Sequence, residues 1–383
     1  MLHLRNGMIY DAISPQPFAG DILIDAGRIR GIGTGLDIPS GCETLDVKGL
    51  SIYPGFIDAH SHIGLSGTAI GYEGQDYNEY NDPVTPHLRA IDGINPLDPS
   101  LRDALKGGVT CVTTGPGSSN AIGGTFTAIK THGARIDKMI VRAVTAMKCA
   151  FGENPKRVYK DKTITSRMTN AALVRGALAA ARLYGQKKAA AGDDVLKMPA
   201  YDMKSEALLP VLDGTLPLKA HAHQANDLFT ALRIAKEFGL RITLVHVTEG
   251  HLIADELVEE GVMLAVGPTL GVASKFELQH KQWITPGMLA KAGCHVSIIT
   301  DAPVIPQEYL PLCAGLAVKA GMDPFAALQA ITINPAQHIG IADRVGSLEC
   351  GKDADLVITD GSPFAIESNV RYVFCNGELV HSA

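Results

Sequence analysis

No CxxC pair occurs in the chain, and its seven cysteines (Cys42, Cys111, Cys149, Cys294, Cys313, Cys350 and Cys375) stand singly. That excludes a disulfide framework and a cysteine-cornered zinc site, and reads as reduced thiols in a cytoplasmic protein. No apolar run approaches the roughly 18 residues that cross a bilayer, and the opening MLHLRNGMIYDAISP lacks the apolar stretch of a secretory signal. Charge of one sign is missing as well. With 34 basic and 40 acidic residues the net charge is −6, so no general attraction to nucleic acid or to a membrane surface is expected. The 40 glycines and 21 prolines follow no three-residue period, which excludes collagen and leaves them as tight connections. What remains is a globular chain of 383 residues, 46% hydrophobic, long enough for one large core or two domains.

The two ends share a texture that the middle lacks. Residues 1–50 carry short alternating runs broken by glycine, such as AGDILIDAGRIRGIG, and residues 347–383 repeat it in DADLVITDG and NVRYVFCNGELV, where Asn376-Gly377 marks a hairpin. A small β-sandwich domain built from both termini is expected. Between them, residues 51–346 alternate strands and helices. LPLKAHAH, RITLVHVT, VMLAVGPTL and HVSIITDAP read as strands, and NDLFTALRIAKEFG between the first two as a helix, capped by Asn226 or Asp227 and stopped by Gly239. Such alternation implies parallel βαβ units, and near 300 residues suit a (β/α)8 TIM barrel. The rival, an open doubly wound sheet, would want a glycine-rich phosphate turn after its first strand, and no GxGxxG stands there. Seven strands are clear; GGTFTAIKTHG (123–133) supplies either the eighth or a hairpin.

Chemistry-bearing residues gather at strand ends. In FIDAHSH, His60 and His62 are two apart on a strand and point the same way. One HxH pair is a weak motif, but His221 and His223 repeat it at the end of another strand. His246 closes RITLVHVT, and Asp301 closes HVSIITDAP. In a barrel the C-terminal ends of the strands converge on one mouth. Imidazole nitrogens and a carboxylate suit Zn²⁺ or a similar divalent ion, and a cation would offset the cost of burying them unpartnered. Separate hydrogen-bonded core histidines are the blander alternative.

These motifs, in this order, resemble those of the amidohydrolase superfamily of metal-dependent hydrolases. YPGFIDAHSH is similar to its first-strand motif, LKAHAHQ to its fifth strand, LVHVTEG to its sixth, IITDAPV to its eighth, and GSLECGKDADLVITDG to the return into the small β domain. The resemblance implies His60, His62, His221 and His246 as metal ligands, and Asp301 as ligand and proton carrier. It favours His221 over His223, which share a face; His223 would then meet substrate or support the ligands. VRAVTAMKCAFGENP resembles the fourth strand of relatives whose lysine is carboxylated, which places Lys148 as a bridging ligand. Glu153 is the rival, since other relatives bridge with glutamate. One or two ions are implied, Zn²⁺ first, Mn²⁺ or Fe²⁺ as alternatives, and by likeness a homo-oligomer.

The implied reaction is hydrolysis of a non-peptide C–N bond, an amide or cyclic amide of a small molecule, by metal-activated water. Asp301 would serve as base and then acid, with His223 or His246 polarising the carbonyl. Cys149 beside Lys148 has no adjacent base and reads as core. Two rival functions are a heterocycle deaminase and a catalytically silent scaffold. Many deaminase-like relatives carry a glutamate three residues after the fifth-strand histidine; here Gln224 stands there. The basic stretch Lys156–Lys188 offers either a lid over an acidic substrate or a solvated helix face. The acidic loop 71–83 offers a pocket wall, and GPGSSNAIGG (115–124) a cradle for an anion. Arg135, Arg142, Arg157 and His251 are undistinguished candidates for substrate contact.

Overall fold

The computed structural model describes residues 1–383. Strands β1 (Leu2–Ile9), β2 (Phe18–Asp25), β3 (Arg28–Gly33), β4 (Glu43–Asp46) and β5 (Ser51–Pro54) open the chain. Eight more follow: β6 (Phe56–Ser61), β7 (Val109–Thr114), β8 (Ile122–Lys130), β9 (Ile140–Ala150), β10 (Leu218–Ala222), β11 (Ile242–His246), β12 (Met263–Val266) and β13 (Val296–Ile298). The last three are β14 (Leu356–Thr359), β15 (Val370–Cys375) and β16 (Glu378–Ser382).

The first five and last three strands form one sheet in the order β16-β15-β14-β5-β1-β2-β3, with β4 attached to β1. β1 pairs along one edge with β2, and shares its other edge between β4 (through Leu2–Arg5) and β5 (through Met8 and Ile9). Strands from the two termini therefore share a single sheet, branched at β1. Ser51–Pro54, grouped by sequence with the barrel, pairs with β1 and β14 instead. The sheets part at Gly55, where an added Cβ would come within 2.1 Å of Thr110 Oγ1.

Strands β6 to β13 are hydrogen-bonded in chain order as a nearly closed barrel. β6, β7 and β9 to β13 pair in parallel sense, while β8 runs antiparallel to both neighbours. The segment 123–133 is thus both things the sequence allowed, a barrel strand and part of a hairpin. Residues 115–121 are too few for the helical crossover a parallel strand needs. Asp58 closes the barrel between its first and last strands. Its buried carboxylate accepts from Thr300 N (3.0 Å), Thr300 Oγ1 (2.6 Å) and Gln307 Nε2 (2.8 Å), and His62 N donates to Ala302 O at 2.8 Å.

The crossover helix after β10 spans Ala225–Phe238 and ends at Gly239, whose φ of 66° gives the left-handed stop. It begins one residue before Asn226, and Asp227 does not cap it: Arg167 takes that carboxylate in a half-buried ion pair at 3.0 Å. No helix is long and apolar enough to cross a membrane.

Candidate metal centre

Because β6 and β9–β13 run in parallel, their C-terminal ends open on one mouth. His60 and His62 straddle the end of β6, His221 and His223 straddle the end of β10, His246 is the last residue of β11, and Asp301 follows β13. The structure brings all six together. Nitrogen and oxygen atoms of His60, His62 and Asp301 lie within 4.8 Å of one another, and those of His221, His223 and His246 form a second such group. His246 joins the two, its ring centroid 5.4 Å from His60 and 4.4 Å from His221. Lys148, from the middle strand of the row, reaches the same space, with Nζ 3.5 Å from His60 Nε2.

Most of the rings are held by Nδ1, which frees Nε2. His62 Nδ1 lies 2.7 Å from Gly115 O and His246 Nδ1 2.8 Å from Gly267 O. A carbonyl only accepts, so both nitrogens carry the proton and both Nε2 atoms present a lone pair. His221 Nδ1 meets Ser118 Oγ at 2.8 Å, and His223 Nδ1 meets Thr248 Oγ1 at 2.7 Å. His246 Nε2 is buried with no hydrogen-bond partner at all. The glycine-rich loop 115–124 thus anchors the His62 and His221 rings, and its Gly117, Ser118 and Ser119 line the cavity above them. Gly115 is required there, since a Cβ would stand 2.5 Å from the Phe126 ring.

Burial dominates the electrostatics. It holds the His60, His221 and His223 imidazoles well below the ordinary histidine range, with Lys148 adding to the effect at His60 and His246 at the other two. It brings His246 to about 4. Burial would raise Asp301, but the imidazoles around it, His246 first and then His60 and His62, override it and hold the carboxyl well below the usual range. Asp301 Oδ1 lies 3.3 Å from His60 Nε2 and 3.2 Å from His62 Nε2. Burial lowers the Lys148 amine to about 8 and pushes the Cys149 thiol up to about 12, so Cys149 is a protonated core residue. Three residues here hold left-handed backbone, His246 (φ 76°), Val247 (φ 50°) and Asp301 (φ 53°), a strain that collects at functional sites.

Glu153 does not join the centre. After Gly152 (φ 86°) the chain turns into the helix Glu153–Val158, and the Glu153 carboxylate accepts from Glu277 N at 3.3 Å. Its own N–H donates in return to Glu277 Oε2 at 2.9 Å. The rival bridging residue is therefore a clasp between two loops. Its partner Glu277 is the carboxylate the sequence did not disclose: fully buried, with Oε1 3.6 Å from His223 Nε2 and 3.8 Å from His221 Nε2. It lies in the long connection after β12, away from any strand end. Gln224 is turned aside, its Oε1 accepting from Arg167 Nη2 at 2.5 Å.

A cavity of about 480 Å³ opens over the cluster, lined by His62, His221, His223 and Asp301 at its base, a volume suited to a small molecule. From the acidic loop 71–83, Tyr77 and Asn78 wall it, Tyr77 stacked on His62 at 5.2 Å. Of the four undistinguished candidates only Arg157 lines it. Arg135 pairs with Asp137, Arg142 binds Gly340 O and His251 meets Thr285.

Residues 51–380 match the pattern of the amidohydrolase family. The chain belongs to that family. Its members are metal-dependent enzymes that act on C–N bonds. This amidohydrolase is 30% identical to amidohydrolase tasK of Hapsidospora irregularis over 94% of its own length, though it spans only 39% of that relative. It is 26% identical to imidazolonepropionase of Thermoplasma acidophilum, covering 88% of this chain and 82% of that one. The crystal structure of an amidohydrolase from Thermotoga maritima MSB8 superposes on all of it with a TM-score of 0.96 at 39% identity.

Proposed function

We propose that this amidohydrolase hydrolyses a non-peptide C–N bond, an amide or cyclic amide, of a small molecule, with one or two divalent ions, Zn²⁺ first, held at the barrel mouth. One observation carries the reading. Imidazoles whose proton is pinned to a backbone carbonyl aim bare Nε2 atoms into a space shared with a carboxylate. The buried, unpartnered His246 Nε2 would be costly without a ligand to accept its lone pair.

His60, His62 and Asp301 would hold one ion; His221 and His246 would hold the second. Lys148 would help hold the metal as a carbamate, because an ammonium there would repel a dication. An amine lowered to about 8 is neutral often enough near neutral pH to add carbon dioxide and release a proton. A divalent ion bound there would supply polarisation of the substrate carbonyl and acidity to water near neutral pH. Asp301, an oxygen-bearing base beside the substrate cavity, takes a proton from the attacking water and returns it to the leaving nitrogen. His223 flanks the carbonyl, oriented by Thr248. The deaminase reading is weaker, since Gln224 is neutral and bound to Arg167. A silent scaffold would not keep so complete a set of ligands.

Elemental analysis of purified protein tests this directly: about one or two equivalents of metal per chain are expected, and none would overturn the reading. Intact-mass and density measurements at Lys148 check the carbamate. An ammonia-release assay across heterocycles, set beside hydrolysis of acyclic amides, separates the hydrolase from the deaminase.

A further inference from the structure

The cavity above the histidines is not neutral. Its lining includes Arg157, Lys275 and Lys281 against a single carboxylate, that of Asp301. Lys281 is occupied with the carbonyls of Leu270 and Val272. Lys275 is different. Its side chain is 15% exposed, and it stands fixed between two residues: Nζ donates to Asn154 Oδ1 at 3.0 Å and forms an ion pair with Glu277 Oε1 at 2.6 Å. Glu277 is in turn fully buried and secured by Glu153 N. A lysine ammonium has three donors. Asn154 takes one, Glu277 faces a second, and the third is left for whatever enters the cavity.

The neighbours deepen the case. Arg157 lies one helical turn from Asn154 in Glu153–Val158 and lines the same cavity with no ion-pair partner in the chain. Asn154 Nδ2 approaches His221 Nε2 at 3.5 Å, so one side chain separates the Lys275 ammonium from the edge of the imidazole cluster. An anion bound at Lys275 and an amide lying over the histidines are close enough to belong to one small molecule. A preorganised, partly desolvated cation binds an anion through charge-assisted hydrogen bonds far better than a surface lysine does.

We propose that Lys275 binds a carboxylate of the substrate, with Glu277 and Asn154 as its positioning residues and Arg157 as a second cation, so that the enzyme acts on the amide of a small acid, such as an N-acyl amino acid or an acid-bearing cyclic amide. The proposal rests on the hydrolase reading and narrows its substrate class. It also accounts for the buried Glu277, whose carboxylate sets the direction of Lys275.

A matched pair of probes tests it. N-acetyl-L-alanine and N-acetyl-L-alaninamide differ only in the carboxylate, and calorimetric titration of each into the metal-loaded full chain gives their affinities. The acid is expected to bind at least about tenfold tighter. Lys275→Met should remove that preference with the amide's affinity and the metal content unchanged, which separates the lysine from any attraction by the metal itself. Should leaving Glu277 unpaired unfold that variant, the neutral pair Lys275→Met with Glu277→Gln carries the same expectation. Glu277→Gln alone should weaken the acid and spare the amide; equal loss for both probes would mean a merely structural role. Equal binding of the two probes by the wild type, a preference that survives Lys275→Met, or no binding of the acid at millimolar concentration overturns the proposal. Metal present by elemental analysis in those cases leaves the hydrolase reading standing. A chain that takes up no metal sinks both.

Discussion

Two buried polar clusters sit at opposite ends of the barrel, and they are built on opposite plans. At the floor, Lys130 at the end of β8 meets Asp355 at 2.7 Å and Asp353 at 3.1 Å, and Arg344 reaches Asp353 at 2.7 Å. Lys130 and both aspartates are almost fully buried, yet each charge faces an opposite one, and the cluster bolts the barrel to the strands of the two termini. At the mouth, five imidazoles and an amine are buried beside a half-buried carboxylate, and His60 Nδ1 and His246 Nε2 have no partner. A buried polar group closed on itself holds a fold together; one left open toward a common space is poised to take something up.

The largest break in the comparison should be functional. Asp301→Asn, which keeps the shape but cannot accept a proton, is expected to cut turnover by roughly 10²–10⁴-fold or more while circular dichroism and the denaturation midpoint stay near wild type. An active variant would remove Asp301 from its role. The next effect is on stability. Lys130→Met leaves the buried Asp355 carboxylate without its cation and should cost about 3–5 kcal/mol in denaturant unfolding. His246→Leu, measured on metal-stripped protein, should cost less, because one hydrogen bond to Gly267 O is lost while a buried Nε2 that was already unsatisfied is removed. Equal losses at the two ends would erase the distinction.

Acid sharpens the contrast. The folded-state values of His60, His221, His223 and His246 lie below the unfolded value of about 6.5, so between that pH and about 4 the unfolded chain binds more protons than the folded one. Stability of the metal-free protein should therefore be full above pH 6.5 and fall as pH drops, by roughly 1.4 kcal/mol per pH unit for each imidazole involved. Urea unfolding at stepped pH reads this slope, and a flat profile would mean that the rings are not buried in neutral form. The smallest effect is a control remote from both clusters. Gly239→Ala meets no atom within 4 Å, so its cost is only the left-handed backbone, about 1 kcal/mol, with activity untouched.

How much of this was legible depends on where each residue sits. His60 and His62, His221 and His223, His246 and Asp301 could be read because strand periodicity fixes a side chain's direction and parallel strands end together. Lys148 came through likeness to relatives, since nothing about a lysine in an apolar run announces a ligand. Glu153 misled because five residues from Lys148 is close in sequence, and only the turn at Gly152 decides which way the side chain faces. Lys275 and Glu277 were invisible: they lie in a loop with no periodicity, and their meaning comes from contact with residues more than a hundred positions away. The reversed sense of β8 could have been inferred from the shortness of residues 115–121, but the strand itself looks the same in either direction.

That reversal has a consequence for how the protein can change. Because β8 runs backwards, the hairpin leading into it supplies Gly115 and Ser118 to the rings at the top, while its last residue, Lys130, drops to the bolt beneath. One continuous stretch of backbone serves as a ruler between the two ends. Adding or removing a single residue within 115–130 would shift the anchors of the rings, the bolt, or both. This segment should be the least tolerant of length variation in the chain, however freely the loops around the cavity differ.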